Sequence, residues 1–588
     1  MKERRKTSVL SALMGVLLIL LISCGGKSGT SGQGADSDNP FKERVTITSL
    51  NYVTSPEPDG RRTDPVSKML EEKFNINLEL SGTTEQDYVA QFSAMMAAGD
   101  LPDIIYLPAD YIRILEALLT SNSLLELDPY MNEKNMPNMM KDPGAAVMFE
   151  AYRGSAFSPD GKLRLWGMAK GAYDDGSLPS ISNFLLWNAY AKAGHPKLEN
   201  YDTDLLDVIE KMVAAEPKST SGQKTWGLGG WFGSGGAWGE WVIKFGLSWG
   251  EGNEYMEALG HILSIDTDTL EPINCNQLTD YANPLNNYWR QMRFYYEANR
   301  RGLLDPDSFT QTNDMYEEKL KDGRYMFDEP GWMAGNANAE FLRQGVDKLY
   351  ISIPTLNHKS EYRFGNMYRG ERINAISSKA KNPERCVALL DYISTKEFSF
   401  INVNGPEGIN WNYENGKPVP TDAYLNSDRS DNTFMLKTGA GIYNLWTGYG
   451  RGTYWDEIGM PLDLYQYSPK ALERKTNGTA RDFMEFYGQK SIVDVYRAET
   501  PVTTGVIGMY NFNIPDDLNN DLNGLNAYIV KNYAKVLMAK NDAEFGRLRD
   551  EFIAGMKPYN PDRLFDYFYQ DAVNNQKPTV AKLKALMQ

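Results

Sequence analysis

Val45 and Ile47 are apolar and Thr46 and Thr48 polar, the period-two pattern of a half-buried strand. Residues 55–65 hold Pro56, Pro58, Gly60 and Pro65 and predict a loop. Asp64 and Pro65 then suit the N-cap and first position of a helix whose apolar face is Val66, Met69, Leu70 and Phe74. Alternation returns over 74–80. A second helix is predicted over 84–98, with Val89, Phe92, Met95 and Met96 apolar and Gly99 as its stop. Ile104, Ile105, Tyr106 and Leu107 predict a short buried strand. Strand, helix, strand, helix, strand in so short a stretch predicts an α/β chain with a mostly parallel, doubly wound sheet. Ligands of such sheets bind beyond the carboxyl ends of the strands, so the loops after Thr48 and Leu107 come first as binding candidates. Further helices are predicted over 204–215, 286–301, 382–393, 525–540 and 542–556, with strands over 348–353 and 373–377.

One apolar run has no such period. Residues 9–22 are apolar almost throughout, behind Lys2, Arg4, Arg5 and Lys6. The run is shorter than the roughly 20 residues a mature membrane span needs, and a basic start with a short apolar stretch is the pattern of an export leader. Leu21-Ile22-Ser23-Cys24 resembles a bacterial lipobox, which implies cleavage before Cys24 and a fatty-acylated cysteine as the new N-terminus. Residues 25–39 are rich in Gly and Ser and predict a flexible tether. The expected order is a signal peptide over 1–23 and a lipidated tether over 24–40. A soluble body follows, held outside the cytoplasm at the cell membrane by its lipid alone.

Charge narrows the function. A net charge of −16 argues against nucleic acid as a partner, which would require a basic face. The 35 Tyr, 23 Phe and 12 Trp are many for an exported acidic chain and suit a ligand with apolar faces, although many rings must be core. Beyond Cys24 only Cys275 and Cys386 remain, and whether they pair is open from sequence.

Seven segments, in order, carry a resemblance. They are Ala97-Ala98-Gly99-Asp100-Leu101-Pro102-Asp103-Ile104-Ile105, Leu124-Leu125-Glu126-Leu127-Asp128-Pro129-Tyr130, Asp160-Gly161-Lys162-Leu163 with Trp166-Gly167, Trp226-Gly227-Leu228, Lys321-Asp322-Gly323-Arg324-Tyr325-Met326, Ser378-Lys379-Ala380-Lys381-Asn382-Pro383-Glu384, and the stretch 405–418. Together they resemble extracellular solute-binding proteins, the receptors of bacterial ABC importers, in the large lipoprotein group of the carbohydrate type. The resemblance implies the two-lobed, type II periplasmic-binding-protein-like fold, with the ligand cleft between the lobes. The lobes would be discontinuous, 41–177 with 353–415 and 178–352 with 416–588, joined by crossings near 163–188 and 350–376. It implies a monomer without catalysis or cofactor that captures a carbohydrate, most simply an oligosaccharide, for separate permease and ATPase subunits. Some members carry a calcium loop just before the segment matched by Trp226-Gly227-Leu228. Here Glu216-Pro217-Lys218-Ser219-Thr220-Ser221-Gly222-Gln223-Lys224-Thr225 lacks the spaced Asp and Asn oxygens of such a loop, so no metal is expected there.

Candidate ligand contacts follow. Trp332, after Asp328-Glu329-Pro330-Gly331, stands where carbohydrate-binding relatives place a stacking tryptophan, and Glu329 lies beside it. Its indole is expected to project from a strand-end turn. Asp110 stands where maltose-binding-like members put an acidic residue, but Tyr111 replaces their arginine. Trp231 and Trp238 lie in a Gly-rich, Trp-rich stretch, Asn51 and Tyr52 after the first strand, and Tyr368 and Arg369 beside the second crossing; Trp411, Trp446 and Trp455 lie in aromatic loops. Gly246-Leu247-Ser248-Trp249-Gly250 fits G-x-S-x-G but lacks a strand before the serine, which argues against a hydrolase elbow. His195, His261 and His358 show no metal spacing. Two other readings remain at this stage: a starch-utilisation type of glycan-capture lipoprotein, built of helical repeats, and a secreted glycosidase.

Overall fold

The computed structural model describes residues 41–587 apart from 53–59, 84, 108–111, 154–157, 159, 168–182, 235–238, 240–242, 244–252, 256–263, 267–268, 275–277, 284–285, 330, 355–359, 364–372, 430, 444–447, 476–477, 500–501, 506–509 and 511–513. The first sheet is built around the strand Val45–Tyr52. It runs parallel to Ile76–Thr83 on one side and to Ile104–Leu107 on the other. Both edges are antiparallel, Gly60–Arg61 against Ile76–Thr83 and Ile373–Ile376 against Ile104–Leu107. The parallel centre is as expected from the alternation. Its residues Ile47, Leu78, Ile104 and Ile105 are fully buried, as strands covered by helices on both faces must be.

Local chemistry sets the element ends. Asp64 caps the helix Pro65–Phe74 by accepting the Ser67 amide at 2.9 Å, and Val66, Leu70 and Phe74 point inward while Met69 stays half-exposed. Asn75 ends that helix in a left-handed conformation, φ 48°, where asparagine is tolerated. Arg385, in the helix Pro383–Ile393, donates to the carbonyl oxygens of Phe74, Asn75 and Glu43 at 2.5, 2.9 and 3.2 Å. One guanidinium thus closes the helix end and fixes the start of the first strand. The Asp103 carboxylate accepts both the amide and the hydroxyl of Thr48 at 3.0 Å, which ties the third parallel strand to the first.

The second sheet is small and antiparallel, with Phe184–Leu186 between Tyr350–Ser352 and Phe327–Asp328. Around it Trp187, Trp231, Tyr288, Tyr295, Tyr296, Tyr316, Tyr325 and Tyr350 are fully buried, so much of the aromatic content is core. The helix Asp516–Leu537 packs on Asn287–Arg300 and on Asp542–Ala554. A five-stranded sheet and a three-stranded one set aside the helical-repeat reading.

Beyond residue 415 the chain touches helices that lie earlier in the sequence. Tyr443 Oη lies 2.5 Å from Ser67 Oγ, and the Tyr449 amide donates to Ser399 Oγ at 3.2 Å. Gly439 is at φ 73°, and a side chain there would strike Val66, so this turn can sit on the Pro65–Phe74 helix only as glycine. The stretch therefore packs with helices of the first sheet, because its small residues allow close approach. Cys386 is a free, buried thiol whose pKa is raised by burial, and Cys275 lies outside the described residues. Among the described residues no helix is long and apolar enough to cross a membrane.

Candidate functional site

The second sheet ends in a polar row. Antiparallel pairing of Phe184–Leu186 with Phe327–Asp328 sets Asn183 directly opposite Glu329, and the Asn183 amide donates to the Glu329 carbonyl at 3.1 Å. The link between the two residues is thus through the backbone, at the end of the pairing. Asn183 is fully buried, sits at φ 64°, and neither its Oδ1 nor its Nδ2 has a hydrogen-bond partner among the described residues. An orphaned buried amide costs roughly 1–3 kcal/mol, and a left-handed backbone adds to that. Such a cost is tolerated where a ligand completes the bonding.

Glu329 is buried, and both its oxygens accept from Gln291 Nε2, at 3.1 and 3.4 Å. Burial, reinforced by the neighbouring Asp328, holds its carboxyl well above the usual range. Asp328 points to the opposite face, opposite Phe184. Its Oδ1 accepts from Tyr316 Oη at 2.7 Å, its Oδ2 lacks a partner among the described residues, and burial pushes its pKa up to about 8. Burial thus favours the proton-carrying form of both carboxyls, at a strand end rich in donors and acceptors.

Trp332 is placed differently from expectation. Gly331 does not end the strand as a free turn; it opens the helix Gly331–Gln344, and Trp332 lies in the first turn. A glycine costs little there, because its entropic penalty falls on helix interiors rather than ends. Met333, Ala334, Ala337 and Phe341 take the inner face, which leaves Trp332 48% exposed. The chain thus presents an exposed indole three residues beyond a buried carboxyl.

The other candidates divide. Trp231 is 1% exposed and packs edge-on against Tyr316 at 4.9 Å, so it braces the tyrosine that donates to Asp328 and presents no face to solvent. Trp411 is 4% exposed, with Nε1 donating to the Gly405 carbonyl at 2.8 Å, which makes it the inner brace of its own hairpin. Asn51 and Tyr52 end the central parallel strand, at its carboxyl end. Cys24, Asp110, Tyr111, Trp238, Trp446, Tyr368, Arg369 and the 246–250 match lie outside the described residues, as does most of both crossings. Sequence reasoning missed Asn183 and Gln291. Asn183 is one amide ahead of an apolar run, and only strand pairing sets it beside Glu329. Among the described residues no group of three or more His, Cys, Asp or Glu could hold a metal ion.

The described residues thus form a parallel-centred α/β sheet and a second, antiparallel sheet that ends in buried polar groups followed by an exposed indole. No protein-family model matches the chain. A curated relative, the fructooligosaccharide ABC transporter substrate-binding protein FusA of Streptococcus pneumoniae serotype 4, is 20% identical over 323 residues, 54% of this chain and 56% of FusA. The matched region thus spans about half the length of that relative. Among solved structures, an HMO-binding, ABC-transporter-associated solute-binding protein from Bifidobacterium longum infantis matches 90% of this chain and 99% of its own at TM-score 0.58 and 14% identity. An EF-hand mutant of S. pneumoniae FusA in complex with fructo-nystose matches 92% and 99% at TM-score 0.57 and 15% identity. The neighbours by sequence and by structure are carbohydrate solute-binding proteins of ABC transporters, as the sequence resemblance implied, and the chain shares their two-domain fold.

Proposed function

We propose that this chain is a lipid-anchored receptor that captures an oligosaccharide outside the cytoplasm and presents it to separate permease and ATPase subunits of an ABC importer. It does no chemistry on its ligand. The observation that carries the reading is the orphaned Asn183 amide beside Glu329, with Trp332 exposed at the same strand end. Sugar hydroxyls both donate and accept, which suits an amide and a carboxyl, and sugar C–H faces suit an indole. Asp110, Tyr111, Asn51, Tyr52, Tyr368, Arg369 and Trp238 are proposed as further contacts, at strand ends and crossings, and closure of two lobes over the sugar excludes water.

The test is calorimetric titration with fructooligosaccharides, HMOs and N-glycan fragments beside a peptide library. Saturable binding of at least one glycan is expected, weakened by about 1–3 kcal/mol in Asn183→Ala. Binding confined to peptides would overturn the reading. The anchor is tested separately: Cys24→Ser should abolish incorporation of labelled fatty acid, and equal labelling of both proteins would rule the anchor out.

A further inference from the structure

The loop 216–225 stands where some relatives of this class carry a calcium site, and an EF-hand is named in the FusA structure. The residues present do not fit one. A calcium ion takes six to eight oxygens, several of them from carboxylates. Here Glu216 is the loop's single carboxylate, and it is taken. Burial alone would raise its pKa, but Lys192 and Lys348, the latter at 3.2 Å, outweigh that and hold it below the usual range. The second carboxylate against the loop, Asp322, is also engaged by the loop itself. It accepts from Ser219 Oγ at 2.6 Å, from the Ser221 amide at 2.8 Å and from Ser221 Oγ at 2.7 Å. Lys224, an exposed residue of the loop, lies over the Trp226 ring at 3.4 Å from its centroid.

These contacts reach every strand of the second sheet. Lys192 ends the helix Trp187–Lys192 that follows Phe184–Leu186, and Lys348 precedes Tyr350–Ser352. The loop runs into Trp226, whose amide donates to the Arg324 carbonyl at 2.7 Å, just ahead of Phe327–Asp328. The loop closes on itself through the Ser219 amide on the Gln223 carbonyl at 2.8 Å and the Thr225 hydroxyl on the Glu216 carbonyl at 2.6 Å.

We propose that residues 216–225 form a cation-independent clasp, in which the ammonium groups of Lys192 and Lys348 and the hydroxyls of Ser219 and Ser221 brace the second sheet in place of a bound divalent ion. A positive charge built into the chain cannot be chelated away, so this half of the molecule keeps its rigidity whatever the calcium level outside the cell. The proposal rests on the loop's own bonding and not on the carbohydrate reading, and its test uses no ligand.

Thermal unfolding of the whole protein is followed in EDTA and in calcium chloride, beside Lys348→Met, Lys192→Met and the double variant. The wild-type midpoint should not move between EDTA and calcium. Lys348→Met should lower it by a few degrees, and Lys192→Met by less, because the Lys192 side chain is 57% exposed and screened by solvent. Should the double variant fail to fold, the single variants and Lys348→Arg, which keeps the charge, decide the matter. A saturable rise with calcium that Asp322→Asn abolishes would overturn the clasp, as would lysine variants that melt like wild type. A calcium effect that survives Asp322→Asn arises elsewhere on the acidic surface, and the lysine variants then decide whether the clasp stands.

Discussion

Between pH 4 and 8 the wild-type protein will lose stability relative to an Asp328→Asn variant, by on the order of 5 kcal/mol across the window. The sign follows from where the proton sits. In the unfolded chain Asp328 releases its proton near the ordinary 3.8, whereas in the folded protein burial delays release to about 8. Between those values the folded state binds a proton that the unfolded state lacks, so each rise in pH favours unfolding. The contribution is complete below pH 4, declines through the window and is flat above 8. Asparagine cannot ionise and retains an oxygen to accept from Tyr316, so it should fold without that slope. Comparing the two proteins removes the opposing slope of the many paired carboxylates elsewhere. Urea unfolding at pH 5, 6, 7 and 8 supplies the curves. Parallel curves, or a wild type that gains on the variant toward pH 8, would show that Asp328 does not hold its proton on folding.

Trp332→Ala should weaken binding of the best glycan by about 1–3 kcal/mol, a five- to hundredfold or larger loss, with little change in unfolding. A core tryptophan would behave in the opposite way, costing roughly 3–5 kcal/mol of folding. The 48% exposure of Trp332 separates the cases, since the ring has little apolar surface to lose on truncation and much to offer a ligand. Its place in the first turn of Gly331–Gln344 adds a second check. Alanine is a better helix former than tryptophan, so the helix should not suffer. Trp231→Ala is the control, with the stability loss and no direct part in binding. A large drop in the Trp332→Ala unfolding midpoint at unaltered affinity would end its role as a ligand contact.

The parts of the fold legible in the sequence are those where periodicity and local chemistry agree. The Asp64-Pro65 start, the Gly99 stop and the strand Ile104–Leu107 lie where their residues predict, because a cap, a left-handed glycine and an unbroken apolar run are each decided within a few residues. The motif residues were legible as markers of resemblance, yet their physical work is structural. Asp103 ties two strands together, and Trp166 exchanges backbone hydrogen bonds with Asn374 while its indole donates to Ser394. The site was legible only in part. Glu329 and Trp332 stood out as a carboxyl and an indole after a strand, whereas Asn183 becomes significant only through a register set by residues more than a hundred positions away. Trp231 and Trp411 show the reverse difficulty. An indole in a glycine-rich loop reads the same whether the loop folds over it or away from it, and burial is decided by distant partners.

Arg385 has a mechanical consequence. A tug on the chain ahead of Glu43 would reach the body first at Val45–Tyr52, whose eight residues pair with Ile76–Thr83 and which is flanked on its other side by Ile104–Leu107. Load along a strand held on both sides is borne by its hydrogen bonds together, in shear, whereas load across a hairpin edge would break them one after another. The guanidinium bond to the Glu43 carbonyl also grips the chain ahead of the first paired residue and resists peeling there. If the chain is held by its first residues, as proposed above, this strand is the first part of the sheet to take the load.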